Sequence, residues 1–230
     1  MNTYRKTAIS VGALFISATA LNVLGNNLYN PMLNDANYLA RISANESQVL
    51  LGLVAVLVSA LACVGIAIGL YPVLRKHHEA LALGSVGFRV IEGMLYIVAV
   101  VGVLSLVTLS REYAKSGASN TPLFRVPGTL LLAIDNWAGQ LSVIAFGVGA
   151  LMYYYVFYTS KLVPRWLSIW GFLAASLSLA AALLCIFGCI IPFSLVFILL
   201  QIPIGLQEYV LAIWLIAKGF NPSAIAHGRR

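Results

Sequence analysis

Residues 48–74 read QVLLGLVAVLVSALACVGIAIGLYPVL, with no Asp, Glu, Lys or Arg among them. A helix that crosses the hydrocarbon core of a bilayer needs about 20 mostly apolar residues. This run is long enough, and Gly65 and Gly69 give it the four-residue glycine spacing that lets helices approach closely. It predicts a membrane span. Working outward on both sides, five more runs have the same character: residues 7–26, 81–110, 129–158, 165–187 and 193–218. Residues 188–192 form a tight turn between the last two. Two longer connections remain. Residues 28–47 carry Asn30-Pro31, and residues 111–128 carry Ser116-Gly117, Asn120, Pro122 and Pro127-Gly128. Both read as turn chemistry, not as a separate domain. The expected fold is an all-α membrane protein: a six-transmembrane-helix bundle over residues 1–230, in one polytopic domain.

The composition points the same way. Of 230 residues, 61% are hydrophobic and 9% charged, against about 45–50% and about 25% in soluble domains. Mean hydropathy is +0.93. A small soluble domain exposes too much of its surface to hide this much apolar area. Soluble enzymes, disordered tails and nucleic-acid-binding domains are therefore excluded. The lipid bilayer is the expected partner; the sequence leaves oligomeric state open. The net charge of +7 follows from basic residues gathering at the cytoplasmic ends of spans. With the N-terminus inside, that side holds nine: Arg5, Lys6, Arg75, Lys76, Lys161, Arg165, Lys218, Arg229 and Arg230. The outer side holds four: Arg41, Arg111, Lys115 and Arg125. Both termini are thus expected in the cytoplasm, and the protein in a bacterial inner (plasma) membrane. Tyr71, Tyr153, Tyr154, Tyr155, Tyr158, Trp166 and Trp170 read as an aromatic belt at that interface.

The N-terminus has a second reading. Arg5 and Lys6 precede an apolar run, and Ala18-Thr19-Ala20 resembles a signal-peptide cleavage site. The first reading is an uncleaved span, because small and apolar residues continue to Gly25. The cysteines Cys63, Cys185 and Cys189 all lie in apolar stretches, and read as packing residues and not as a disulfide or a metal site.

Charges inside the spans carry the functional information, since each costs about 2.5–3.5 kcal/mol at the bilayer centre on insertion scales. Arg89 and Glu92 stand three apart on the third span, at ion-pair spacing. Ser85 and Tyr96 extend their stripe. Glu208 on the sixth span falls at a similar depth by helical rise, and Gln201 shares its face. Pro203 and Gly205 lie between them, where a kink would free a carbonyl. One Arg with two Glu leaves a formal charge of −1, so one glutamate is expected to carry a proton or a cation. Arg89, Glu92, Glu208, Tyr96, Ser85 and Gln201 form the candidate ligand or ion site, for a small solute or a proton. The alternative is a structural ion pair tying the third span to the sixth. A second, outward-facing polar vestibule is expected from Asp135, Asn136 and Gln140 on the fourth span with Asn22 and Asn26 on the first, where Thr19 extends the stripe. The competing reading is a solvated helix end.

No span contains His, so paired haem ligands are absent, as are HExxH, GxSxG and glycine-rich phosphate motifs. No catalytic residue, metal or cofactor is indicated.

Several segments resemble a known family. They are Ile42-Ser43-Ala44-Asn45-Glu46, Leu70-Tyr71-Pro72-Val73-Leu74, Gly87-Phe88-Arg89-Val90-Ile91-Glu92, Pro164-Arg165-Trp166-Leu167-Ser168 and Leu206-Gln207-Glu208, then Trp214-Leu215-Ile216 and Lys218-Gly219-Phe220-Asn221. Along nearly its whole length the chain resembles the domain-of-unknown-function 4386 (DUF4386) family of small bacterial integral membrane proteins. The resemblance implies six spans and supplies no activity. It places Arg89, Glu92 and Glu208 inside characteristic segments. It also implies an Asp directly before Trp137, where this chain has Asn136 and carries Asp135 one position earlier, which weakens a role for Asp135.

Three functions compete: a carrier or binding protein using the Arg/Glu site, a structural or regulatory membrane protein, and an intramembrane enzyme acting on lipid. The last has no nucleophile and base to support it.

Overall fold

The computed structural model describes residues 3–117, 121–192 and 194–227, with backbone alone at 121, 122 and 227. Asn120, Phe193, Arg229 and Arg230 lie outside the described residues. Eight helices follow in order: α1 (Thr3–Leu33), α2 (Tyr38–Ala44), α3 (Glu46–Leu74), α4 (Glu79–Lys115), α5 (Thr121–Ser160), α6 (Arg165–Ile186), α7 (Leu195–Ala217) and α8 (Pro222–His227). Six of these, all but α2 and α8, are long and apolar enough to cross a membrane. Large apolar side chains cover the outside: Leu61 is 70% exposed and Leu173 59%. In water such a surface would be an aggregation hazard; in lipid it is the solvated face. This is an all-α six-span bundle, and the chain is a multi-pass membrane protein.

Each long helix packs on its neighbour in sequence, and α1 packs against α7, so the spans α1, α3, α4, α5, α6 and α7 close into a ring. The start of α1 meets the end of α7, where Arg5 donates to the carbonyls of Leu215 (3.2 Å), Ile216 (2.6 Å) and Ala217 (3.3 Å). These are orphan acceptors at a helix C-terminus, and a guanidinium satisfies them and complements the helix dipole. On the same face Lys76 donates to the Tyr4 hydroxyl, and the backbone N–H of Asn221 donates to Leu162 at 2.9 Å. This is the terminal face of the bundle, and the opposite end is the far face.

Glycines set the closest approach. A Cβ on Gly25 of α1 would sit 2.6 Å from the Gly52 carbonyl of α3, and one on Gly52 would sit 2.8 Å from the Gly25 carbonyl. Gly65 and Gly69 also face α1, through Leu14 and Val11; Gly147 meets Leu179 and Gly149 meets Phe88. These four glycines make contacts within the chain.

Two connections are more helical than their turn residues suggest. α1 runs on to Leu33 because its asparagines bond along the helix. Asn26 Nδ2 donates to the Asn22 carbonyl at 2.9 Å, and Asn26 Oδ1 accepts from Tyr29 at 3.0 Å and from Asn30 at 3.2 Å. Pro31 stands two residues from the end of the helix, where little ladder remains to lose. Pro127-Gly128 lies inside α5. Gly128 is required there by packing, since its Cβ would fall 2.1 Å from the Tyr38 hydroxyl oxygen. The seven-residue α2 that carries Tyr38 buries Leu39 and Ile42, a segment too short for periodicity to reveal. The turn after α6 is as expected: Gly188 takes φ 71°, the left-handed conformation of a helix stop.

The aromatic belt is only half a belt. Tyr155, Tyr158 and Trp166 are 49%, 41% and 53% exposed, but Tyr153 and Tyr154 are 1% and 0%. Consecutive helical residues point about 100° apart, so a run of three tyrosines cannot all face lipid. Tyr153 and Tyr154 join Phe15, Phe157, Leu211 and Leu215 in a core that fills the terminal half of the ring. A second core, built around Tyr29, Ile42, Leu53 and Leu106, lies toward the far face on the α1, α3 and α4 side.

Candidate functional site

Between these cores the ring is not filled. A cavity of about 270 Å³ lies there, lined by side chains of all six spans. The core closes it toward the terminal face; toward the far face it reaches Asn26 of α1 and Phe197, near the start of α7.

α4 carries the charge. Arg89 and Glu92, each 2% exposed, place Nη1 and Oε2 3.0 Å apart within one helix. The Arg89 guanidinium also stacks over Phe146 of α5, 5.1 Å from the ring centroid, a cation–π contact strengthened by burial of the side chain. The ion pair therefore does not tie the third span to the sixth. Glu208 of α7 reaches the same cavity but has no ion-pair partner among the described residues. Its Oε2 accepts from Thr19 of α1 at 2.8 Å. The polar links of α7 run instead to α1, α5 and α6. Ser178 of α6 donates to Gln201 at 2.6 Å. Gln207, fully buried, accepts from the Tyr154 hydroxyl and donates to the Leu167 carbonyl at 3.1 Å.

Of the residues singled out by sequence, Arg89, Glu92, Glu208, Tyr96 and Gln201 line the cavity, and so do Asn22, Asn26 and Gln140. The intramembrane set and most of the vestibule set share one chamber. Three residues are not in its lining. Ser85 is buried and donates to the Ala82 carbonyl of its own helix at 2.8 Å. Asp135 lies on the side of α5 that passes Gly102 of α4, and Asn136 is also off the lining. Sequence reading missed Ser59, Cys63, Ser142, Phe146 and Ser178 as lining residues, and Gln207 as a tie. The Ser59–Cys63 spacing of four was the available signal on α3. Gln207, next to Glu208 in an apolar segment, was the one on α7.

Several buried polar atoms around the chamber lack a partner: Nε of Arg89, Nδ2 of Asn22, Oε1 of Gln140 and Nε2 of Gln201. Buried polar groups are nearly always satisfied, and these converge on one space. Two glycines also line it, Gly139 and Gly205, and a Cβ at either would meet nothing within 4 Å. Among the described residues, no group of three or more His, Cys, Asp or Glu side chains could hold a metal ion.

The profile of the family described as Domain of unknown function (DUF4386) matches residues 10–219. The chain belongs to this family. The matched range takes in all six spans in large part, and every residue that lines this chain's chamber falls within it. No curated protein and no solved structure matches the chain.

Proposed function

We propose that this protein binds, and carries, a small polar solute or ion in the chamber between its six spans. The observation behind this reading is the set of buried, unpartnered polar atoms around about 270 Å³ of space. In a membrane interior each such group costs free energy, and a polar occupant offsets that cost. Arg89 and Glu92 cancel in formal charge, and Glu208 is left over, so the chamber is an acidic one. On this reading the terminal face is cytoplasmic, because Arg5, Lys6, Arg75, Lys76, Lys161, Arg165 and Lys218 belong to it. The chamber then approaches the outside, in a bacterial inner membrane.

The test is native mass spectrometry of the protein released from nanodiscs, wild type beside Glu208→Gln. A small adduct on the wild type that is missing from the variant is the expected result. Identical spectra with no adduct, together with a less stable variant, would favour the second reading: a structural or regulatory protein whose polar residues only hold spans together. The Thr19–Glu208 and Ser178–Gln201 bonds, each joining two spans, are what speak for it.

A further inference from the structure

The solute-binding reading leaves the class of solute open, and the chamber's charge, hydrogen bonding and glycines narrow it. This step rests on that reading. Charge comes first. Arg89 already has a carboxylate at 3.0 Å, so it offers no uncompensated positive charge to an anion. Glu208 has only the Thr19 hydroxyl on one oxygen, and its other oxygen has no hydrogen-bond donor among the described residues. With Glu208 ionised, a ligand of charge +1 makes the chamber neutral; a zwitterion or neutral ligand leaves it at −1, and an anion makes it −2. In a low-dielectric site these differences decide binding.

Hydrogen bonding comes second. The serine hydroxyls that line the chamber have already spent their protons. Ser59 donates to the Ala18 carbonyl at 2.8 Å, Ser142 to Gly139 at 2.7 Å and Ser178 to Gln201 at 2.6 Å. What they turn to an occupant is lone pairs. Oε1 of Gln140 adds another acceptor. An ammonium group is a donor only, and suits such a wall. The donors Nε of Arg89, Nδ2 of Asn22 and Nε2 of Gln201 remain for an oxygen elsewhere on the ligand.

Room comes third. A cavity of about 150 Å³ holds benzene, so 270 Å³ holds roughly ten non-hydrogen atoms. That is far more than a bare metal ion or a proton uses. Gly139 and Gly205 maintain the space. Glycine inside a helix costs about 1 kcal/mol relative to alanine. At Gly25 and Gly52 a close neighbour explains the glycine, but at these two positions there is none.

We infer that the chamber takes a small organic monocation, an amine of about ten non-hydrogen atoms, with its ammonium on Glu208 and its body in the space left by Gly139 and Gly205.

The test uses the full chain in detergent at neutral pH, with matched probes: 2-phenylethylamine, tyramine and 5-aminopentanol. Each is compared with its alcohol (2-phenylethanol, tyrosol, 1,5-pentanediol) and with the carboxylate of the same skeleton. Binding is read by thermal shift and titration calorimetry. Amines alone are expected to bind. Glu208→Gln keeps an acceptor for Thr19 and so keeps the fold; it should weaken the amines roughly ten- to a hundredfold, the worth of a charged hydrogen bond. Gly205→Leu should abolish binding with its melting temperature retained. Binding of the alcohols or carboxylates in place of the amines overturns the ligand class and leaves solute binding intact. Amine binding that survives Glu208→Gln undiminished overturns the placement. No binding by any probe, with no adduct in the native spectra, overturns both readings.

Discussion

Arg89 is the residue on which the interior depends. It is among the largest side chains in the protein with almost no exposure, and it keeps one carboxylate and one aromatic ring as neighbours. Removing one partner of a buried pair costs about 3–5 kcal/mol, because the other charge is stranded. Arg89→Ala is therefore expected to lower stability in detergent by that order, measured by denaturation monitored through helix content. Removing Glu92 as well, as Arg89→Met with Glu92→Leu, should recover most of the loss. Additive losses in the cycle would show that the two side chains are not coupled. At the far face the charge chemistry is ordinary. Asp35 accepts from the Asn37 N–H at 2.8 Å and from Arg41 Nε at 3.0 Å, and these contacts hold its carboxyl below the usual value of 3.8. A depressed folded value means that the contribution is complete above pH 3.8 and fades as pH falls through the lowered value. Hydrogen-exchange protection at the start of α2, taken relative to the intrinsic amide rate at each pH, should fall on that acid side in the wild type, and already be low at neutral pH in Asp35→Ala. Arg89, Glu92 and Glu208 were legible in the sequence because a charge in an apolar run has no cheap place except the interior. The pairing of Arg89 with Glu92 was legible too, from their spacing of three; Phe146 over Arg89 and Thr19 on Glu208 were not. Serine, threonine and cysteine pass unremarked in such runs, since they can bond back to their own helix.

At the level of the helix, glycine has two opposite uses in this protein, and a single methyl group separates them. Gly25→Ala pushes a Cβ against the Gly52 carbonyl and Val56, and overpacking of that kind costs about 1–3 kcal/mol. Gly205→Ala meets open space and should raise stability by up to about 1 kcal/mol through helix propensity. Equal effects at the two positions, in melting experiments on both variants, would contradict this division. The six spans themselves were readable from hydropathy alone. Their ends were not, for reasons that differ from place to place. Asparagine ladders α1 past its apolar run, and Tyr38 converts Pro127-Gly128 from a turn signal into a packing site. The rotation of each span is the harder quantity. A helix that is apolar all round has no stripe to mark its inner face, so the burial of Tyr153 and Tyr154 could not be separated from the exposure of Tyr155.

For the molecule as a whole, the ring is the organising fact. Because neighbours in sequence are neighbours in space, the spans lie around a centre, and two polar sets on different helices become the wall of one chamber. Sequence depth alone set Glu208 beside Arg89; it could not say that Asn22, Asn26 and Gln140 belong to the same chamber, since that depends on the closure of α1 against α7.

That closure has a consequence for how the protein is made. α7 leaves the ribosome after the other five spans, and it docks against α1. Until it arrives, Thr19, Asn22, Arg89 and Glu92 border an open gap, where an intramembrane charge costs about 2.5–3.5 kcal/mol on insertion scales. A chain halted between α6 and α7 holds the five earlier spans, with its polar interior open on the side that α7 covers. Such a five-span ring stays open on one side, so the docking of α7 is also the step that hides the charged interior from lipid.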